Sequence, residues 1–177
     1  MQTTKEADVI MVYKREESMY PDVRNWLEKE LNSRISDADE IHAYITSRTS
    51  VAKFLTTKGL AQYFSDEYHT YDIRVDITAV IIKGDKGELV FIECKLRKIS
   101  LRDLSQLLGY SVVAKPLYSL IISPEGIADS LRSLITTFGR RDILKYADKR
   151  EIALAKWDEN KKDLDYTSII PTGWSFI

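Results

Sequence analysis

The sequence predicts an α/β protein with a central mixed sheet of about four to five strands flanked by helices. Two apolar, β-branched runs flank the polar break Gly84-Asp85-Lys86-Gly87, which is typical of a β-hairpin. A helix start follows at Ser100, an N-cap residue with Asp103 three positions later. The nearly all-apolar run at 117–123 then indicates a buried strand, parallel to the second strand of the hairpin.

The length and composition favour one domain spanning residues 1–177. The chain is 44% hydrophobic and 30% charged, which is ordinary for a soluble protein. No apolar run reaches the length of a membrane span, and the N-terminal segment lacks the hydrophobic region of a signal peptide. We therefore expect a cytoplasmic protein with no membrane partner. The single cysteine, Cys94, excludes an internal disulfide and a cysteine-rich zinc site.

Before the hairpin, the residue pattern predicts two helices and one short strand. Residues 1 to about 10 are expected to form a loose tail or a short edge segment. Apolar residues recur at helical spacing from Lys14 to about Asn32, and again from about Ser50 to Phe64, where Gly59 weakens the pattern. The segment 41–45 is the expected strand between them.

After the hairpin, the pattern predicts alternating helices and strands. The expected helices cover 101 to about 114, 127 to about 138, and 142–147, and the expected strands cover 117–123 and 152–157. The remaining tail, 158–177, is polar and then apolar. An apolar ending favours docking of this tail on the body of the protein or on a second subunit.

Charged residues inside the apolar hairpin indicate a functional site. Glu93 and Lys95 share one face of the second strand, because side chains on a strand alternate between faces. A turn centred between Asp85 and Lys86 would place Asp76 opposite Lys95, with Glu93 on the diagonal, whereas a one-residue slip would turn Asp76 to the other face. Charges on a half-buried face destabilise the fold unless they are compensated. Mg²⁺ or Mn²⁺, which prefer oxygen ligands, would compensate the carboxylates, and the lysine could act on a metal-bound water.

These residues resemble the motifs of a known nuclease group. Asp76, then Glu93-Cys94-Lys95, then Gln106-Leu107-Leu108-Gly109-Tyr110 is similar to the pattern of the PD-(D/E)xK nuclease superfamily. The similarity is to the branch with a downstream QxxxY motif, which includes RecB-like and other exonuclease-type domains, and more distantly to archaeal Holliday junction resolvases. It covers the chain from Glu16 to Ile122, and Val75 stands where the motif often has proline.

The resemblance implies a restriction-endonuclease-like core of the order αβββαβ and a metal-dependent deoxyribonuclease that hydrolyses DNA phosphodiester bonds. It implies that Asp76 and Glu93 bind Mg²⁺ or Mn²⁺, with the backbone carbonyl of Cys94 as a further ligand. Lys95 would assist the attacking water and complete the catalytic group.

A glutamate of the first helix often completes the metal site in this superfamily. Glu16 is the preferred ligand, because it lies four residues before Tyr20 and seven before Val23 and so projects from the apolar face of the predicted helix. Glu17 projects further round, toward Arg24, and is the second candidate. The alternative is a glutamate in the first helical turn that complements the helix dipole.

The QxxxY residues, Gln106 and Tyr110, lie four positions apart on one helix face. The resemblance implies catalytic roles: Gln106 would contact the lysine, the water or a phosphate, and Tyr110 would support that side or touch the nucleic-acid backbone. The alternative is a polar–aromatic pair on a helix surface.

The net charge of −1 means that DNA binding would depend on a local basic patch rather than on the whole surface. The candidates nearest the motif are Arg97, Lys98 and Arg102. Further candidates are Lys53, Lys58, Arg140 and Arg141. For each of these residues the alternative is a solvated surface charge.

Three alternatives stay open for the assembly and the function. Many members of the superfamily are dimers, which leaves a homodimer open. A non-catalytic nucleic-acid-binding protein on the nuclease fold would need a basic patch but no metal. An α/β scaffold protein would make the motif a coincidence, since short motifs do arise by chance.

Overall fold

The computed structural model describes residues 12–176, so the tail expected at residues 1 to about 10 lies outside the described residues. The α-helices in this range are α1 (Tyr20–Arg34), α2 (Val51–Thr57), α3 (Leu101–Ala114) and α4 (Asp129–Thr136). The strands are β1 (Glu40–Ile45), β2 (Ile77–Lys83), β3 (Lys86–Cys94), β4 (Tyr118–Ser123), β5 (Lys145–Ala147), β6 (Arg150–Glu151), β7 (Ala153–Asp158) and β8 (Asp163–Ile170). Short 3₁₀ helices cover Glu16–Ser18, Ala61–Tyr63, Asp66–Thr70 and Arg141–Leu144.

A mixed sheet of six strands in the order β1-β2-β3-β4-β7-β8 forms the centre of the described structure, and β5 and β6 form a separate two-stranded sheet. Strands β1, β2 and β3 are antiparallel neighbours, whereas β3, β4 and β7 run parallel. The expected parallel β3–α3–β4 unit is therefore confirmed. The predicted α/β class with a mixed sheet is also confirmed, but the expected count of about four to five strands is too low.

The additional strand is β8, which lies in the segment predicted to be a tail. It pairs antiparallel with β7 at the edge of the sheet, with an irregularity in the register between Leu154 and Lys156. The tail then turns back, and Phe176 is buried against Tyr118 and Trp26, at ring-centre distances of 4.9 and 6.0 Å. The C-terminal segment thus packs against the body of the protein.

The sheet separates two apolar clusters. On one face, Val23, Leu27 and Leu31 of α1 are fully buried in the first cluster. On the other face, helices α2 and α3 contribute Phe54 and Leu104 to the second cluster. Strand β3 contributes side chains to both clusters, because successive side chains on a strand point to opposite faces of the sheet. By this alternation Glu93 lies on the face that is covered by α2 and α3.

The first predicted helix is divided in two. The pattern predicts one helix from Lys14 to about Asn32, but Glu16–Ser18 is a 3₁₀ turn and α1 begins at Tyr20, with Pro21 in its first turn. Proline is favoured at this position because its missing amide would be unpaired there and its φ suits a helix. Glu16 consequently lies outside the helix on which it was expected.

Three other predicted helices differ from the structure. The helix predicted from 127 to about 138 covers only Asp129–Thr136. The helix from about Ser50 to Phe64 ends at Thr57, because Gly59 has a φ of +68°, in the left-handed region. The segment 142–147, predicted to be helical, consists of the end of a 3₁₀ helix and the strand β5.

The hairpin register differs from the expected one by two residues. Ile77 pairs with Ile92, and Lys83 pairs with Lys86 across the turn Gly84-Asp85. Gly84 has a φ of +59°, a conformation that suits glycine in a two-residue hairpin turn. The prediction that Asp76 lies opposite Lys95 is therefore wrong, because the observed register brings it next to Glu93. Because side chains alternate with a period of two, this shift keeps Asp76 on the expected face.

Strand β1 forms one edge of the sheet. The outward-pointing amide of Ala43 donates a hydrogen bond of 2.7 Å to the carboxylate of Glu28 on α1.

No helix in residues 12–176 is both long enough and apolar enough to cross a membrane.

Candidate active site

Two buried carboxylates lie at the end of the sheet opposite the hairpin turn. Asp76 directly precedes β2, and Glu93 is the second-last residue of β3. Their exposed fractions are only 8% and 7%, which is unusual for carboxylates. The hairpin thus places both groups in one buried region.

Asp76 is held by hydrogen bonds to both carboxylate oxygens. The Tyr20 hydroxyl donates to Oδ1 at 2.7 Å, and the backbone amide of Cys94 donates to Oδ2 at 2.8 Å. In addition, the amide of Thr46 donates to the backbone carbonyl of Asp76 at 2.9 Å. The two bonds to the side chain come from α1 and β3, and the bond to the backbone comes from the segment after β1, so three elements fix this residue.

Lys95 connects Glu93 with Glu16. Its Nζ lies 3.1 Å from Oε1 of Glu93 and 3.4 Å from Oε1 of Glu16. Glu17, the second candidate for the helix ligand, instead lies 3.5 Å from Arg48 on the surface. The structure therefore brings Glu16 into the cluster and leaves Glu17 outside it.

Burial dominates the electrostatics of the site. It raises the pKa of Asp76, although the hydrogen bonds from Cys94 and Tyr20 act in the opposite direction. Burial and the nearby Asp76 raise the pKa of Glu93 to about 7. Burial alone would lower the pKa of Lys95, but the charge and hydrogen bond of Glu93 outweigh it and raise the pKa. Near neutral pH, Glu93 is thus able to exchange a proton beside a charged lysine.

The donor groups of this site fit a hydrated divalent cation. In the described part of the chain, no group of three or more His, Cys, Asp or Glu side chains is arranged to hold a metal ion. Mg²⁺, however, commonly keeps several waters and binds through one or two carboxylates. A carboxylate offers about four lone-pair positions. Asp76 uses two of them for hydrogen bonds, and Glu93 uses one for Lys95. Asp76 and Glu93 could therefore hold such an ion.

Cys94, between Glu93 and Lys95, contributes to the site through its backbone and not through its thiol. Cys94 is fully buried, and its side chain belongs to the first apolar cluster. Its amide supports Asp76, whereas the role of its carbonyl as a metal ligand stays a prediction.

The QxxxY residues are not joined to the carboxylates. Gln106 is exposed on α3, and Tyr110 is partly buried against the second apolar cluster. Within residues 12–176, neither side chain makes a hydrogen bond to Asp76, Glu93 or Lys95. Their catalytic roles stay predictions.

The three basic residues nearest the motif differ in their surroundings. Arg97 forms a two-pronged ion pair with Asp103, at 2.7 and 2.8 Å, and Lys98 lies 3.9 Å from Asp129. Arg102 is exposed in the first turn of α3 and has no ion-pair partner among the residues described. Of the three, Arg102 has its charge most available for a phosphate.

Tyr20 is the contact that sequence reasoning missed. The pattern assigned it to the apolar stripe of the first helix, and it is indeed buried. Burial and the hydrogen bond to Asp76 raise the pKa of its hydroxyl, so that it stays a proton donor. The sequence does contain one indication of this contact, since Tyr20 lies close to Glu16. The hydroxyl of a buried tyrosine needs a hydrogen-bond partner.

Comparison of the chain with protein-family models, with curated proteins and with solved structures finds no significant match. The geometry of the site is therefore the basis for the functional conclusion.

Proposed function

We propose that this protein is a metal-dependent deoxyribonuclease, with Mg²⁺ or Mn²⁺ as its cofactor and DNA as its substrate. One observation carries the proposal: Asp76 and Glu93 are buried together beside a single ammonium group, that of Lys95. With Glu16, the site has a formal charge of −2 when every group is ionised. Buried charge of one sign is costly, and a divalent cation would offset it.

The order of the elements supports the restriction-endonuclease-like core implied by the motifs. Helix α1, strands β1, β2 and β3, helix α3 and strand β4 follow one another as αβββαβ, with α2 inserted after β1. In this arrangement the motif residues lie at the end of a hairpin, next to a parallel crossover.

Each residue of the cluster has a chemical role in this proposal. Asp76 and Glu93 hold the ion, and the Tyr20 hydroxyl and the Cys94 amide keep Asp76 in one orientation. A bound Mg²⁺ would supply electrostatic stabilisation of the scissile phosphate. Lys95 orients the attacking water or balances the charge that develops on the phosphate, and Glu16 keeps its ammonium group in place.

A non-catalytic nucleic-acid-binding protein is the second candidate. It is favoured by the contacts of Lys95, which already pairs with Glu93 and Glu16 without any metal. On this alternative the cluster is a buried ion-pair network, and DNA binding depends on basic residues alone.

The deciding experiment incubates labelled single strands, blunt duplexes, flaps and four-way junctions with the protein in Mg²⁺, Mn²⁺ or EDTA. The matched variants are Asp76→Asn and Lys95→Ala, with Lys145→Ala, at an exposed position of β5, as the control. The nuclease proposal requires cleavage that depends on metal, disappears in both site variants and persists in the control.

Calorimetric titration of Mg²⁺ separates the two candidates further. The nuclease proposal requires binding that Asp76→Asn removes and Lys95→Ala largely keeps, because the lysine is not a ligand. DNA binding without cleavage and without metal binding would establish the second candidate. Full activity of Lys95→Ala would contradict the role given to this lysine.

A further inference from the structure

A groove of about 540 Å³ lies along the outer edge of β1. Its walls come from α1, β1, α2 and the loop between β1 and α2. We call this the β1 groove and define it by four cations and three apolar residues. These are Arg24, Arg48, Lys53, Lys58, Tyr44, Ile45 and Phe54.

The β1 groove concentrates positive charge on a chain whose net charge is −1. One acidic residue borders it: Glu28 lies 3.7 Å from Arg24 and accepts a hydrogen bond from the amide of Ala43, so it compensates the charge of Arg24. The other three cations carry the positive charge of the groove. Lys53 and Lys58 have no ion-pair partner among residues 12–176. Arg48 is paired with Glu17 only at 3.5 Å, and its side chain is 86% exposed, so this pair leaves its charge available. The charges match a polyanion rather than a neutral or basic peptide.

The floor of the groove is aromatic. Tyr44 is half-buried and packs edge-to-face on Phe54, with ring centres 5.0 Å apart, so its ring is held in place. The ammonium group of Lys58 lies 5.2 Å from the centre of the Tyr44 ring. Ile45 next to it is 46% exposed. A fixed ring surrounded by cations is the arrangement on which unpaired bases stack while their phosphates meet the charges.

The groove continues toward the candidate active site. An adjoining depression of about 310 Å³ shares Ile45 and Arg48 with it and is also lined by Tyr20 and by Glu17, the partner of Arg48. The Tyr20 hydroxyl is bonded to Asp76. A chain lying in the groove would therefore be directed to the buried carboxylates.

We propose that the β1 groove binds a single-stranded segment of DNA, with a base on Tyr44 and phosphates at Lys53, Lys58 and Arg48. The segment is single-stranded because a base within a duplex has no free face for the ring. Lys58 moves from the ring to a phosphate when the base stacks. The direction of the strand toward the site of cleavage rests on the proposed nuclease function, whereas the binding itself does not.

The test measures fluorescence anisotropy of labelled oligothymidylate with the full chain in EDTA, so that cleavage plays no part. Tyr44→Leu should weaken binding about tenfold, and Tyr44→Phe should leave it unchanged, because the ring is kept. The double variant Lys53→Ala/Lys58→Ala should reduce the slope of log affinity against log salt by about 1.4, since each phosphate contact on a single strand contributes about 0.7. Tyr166→Leu and Lys145→Ala/Lys161→Ala are matched controls on other surfaces.

The outcomes separate this inference from the proposed function. If the groove variants lose oligothymidylate binding but the protein cleaves no DNA in Mg²⁺ or Mn²⁺, the groove is a DNA-binding site and the nuclease proposal is wrong. Cleavage of duplex DNA with no affinity for oligothymidylate would contradict single-strand binding in the β1 groove and would support the nuclease proposal. Equal losses in the groove variants and in the controls would also overturn it.

Discussion

The Tyr20 hydroxyl donates a hydrogen bond of 2.7 Å to Oδ1 of Asp76, and this bond joins the first turn of α1 to the start of β2. The sequence pattern does not predict this contact, because the two residues are 56 positions apart. The bond favours the ionised carboxylate, which burial opposes.

The first prediction follows from this bond. Tyr20→Phe should reduce cleavage about tenfold, because supporting contacts of metal ligands are commonly worth ten- to hundredfold. At subsaturating Mg²⁺ it should also move the rise of the pH–rate profile to higher pH, because the pKa of Asp76 in the metal-free protein loses an interaction that lowers it and protons then compete better with the metal. Tyr146→Phe, which removes a buried hydroxyl from the carbonyl of Pro116, should leave that profile in place. An unshifted profile for Tyr20→Phe would contradict the prediction.

A second prediction concerns stability and Glu93. Its pKa is raised from an ordinary value of 4.5 to about 7, so the folded metal-free protein binds this proton more tightly than the unfolded chain does. The stabilisation from the protonated form is complete below about 4.5 and is lost as the pH rises through about 7.

Glu93→Gln stays neutral and should therefore gain stability relative to the wild type as the pH rises across this range. Urea unfolding in EDTA at several pH values measures the difference. The exposed Glu40→Gln is the control and should stay within about 0.5 kcal/mol of the wild type. A difference that is independent of pH would show that folding does not raise the pKa of Glu93.

A third prediction separates two arginines near the site. Arg97→Ala leaves the buried carboxylate of Asp103 without its main partner, so the free energy of unfolding should fall by about 1–2 kcal/mol. Burial acts to raise the pKa of Asp103, but the bonds from Arg97 and Ser100 lower it. The stabilisation is present above the ordinary pKa of 3.8 and is lost as the pH falls through the lower folded value.

Arg102→Ala removes an unpaired surface charge and should change the stability by less than about 0.5 kcal/mol. It should instead weaken DNA binding and lower its salt dependence. Urea unfolding and anisotropy on the same two variants provide the comparison. A large stability loss for Arg102→Ala would contradict its assignment as a free charge.

A fourth prediction concerns the C-terminal segment. Phe176 is buried against Trp26 and Tyr118, so Phe176→Ala should reduce the free energy of unfolding by about 3–5 kcal/mol. Phe138 is 74% exposed, and Phe138→Ala should cost less than about 0.5 kcal/mol. Thermal unfolding of both variants tests this difference. Similar melting temperatures would mean that the segment contributes little to stability.

The hairpin could be predicted from the sequence, and so could the position of Asp76 and Glu93 on the same face of it. The register error of two positions did not separate Asp76 from Glu93, because the side-chain period on a strand is two. The sequence was insufficient for β8, where exposed polar side chains alternate weakly with Leu164 and Ile169 and a register irregularity interrupts the pattern. Edge strands bury little surface and so leave a weak apolar signal.

The β1 groove could not be predicted as a unit. Its residues come from α1, β1, a loop and α2, and only packing brings Arg24 near Lys53. The sequence indicates Lys53 and Lys58 only as separate candidates for phosphate contacts. Tyr44 has no sequence feature that distinguishes a ring on which bases stack from a core residue. Glu16 was expected as a metal ligand on the first helix, and the structure places it on a 3₁₀ turn beside Lys95, so its role as a ligand stays a prediction.

The contact between Glu28 and the amide of Ala43 has a consequence for self-association. An incoming polypeptide strand that extended the sheet at β1 would need that amide, and a carboxylate already occupies it. Displacing it would leave a negative charge beside the new strand, which opposes edge-to-edge polymerisation. The protein can thus keep one sheet edge open to solvent without offering it as a template for aggregation.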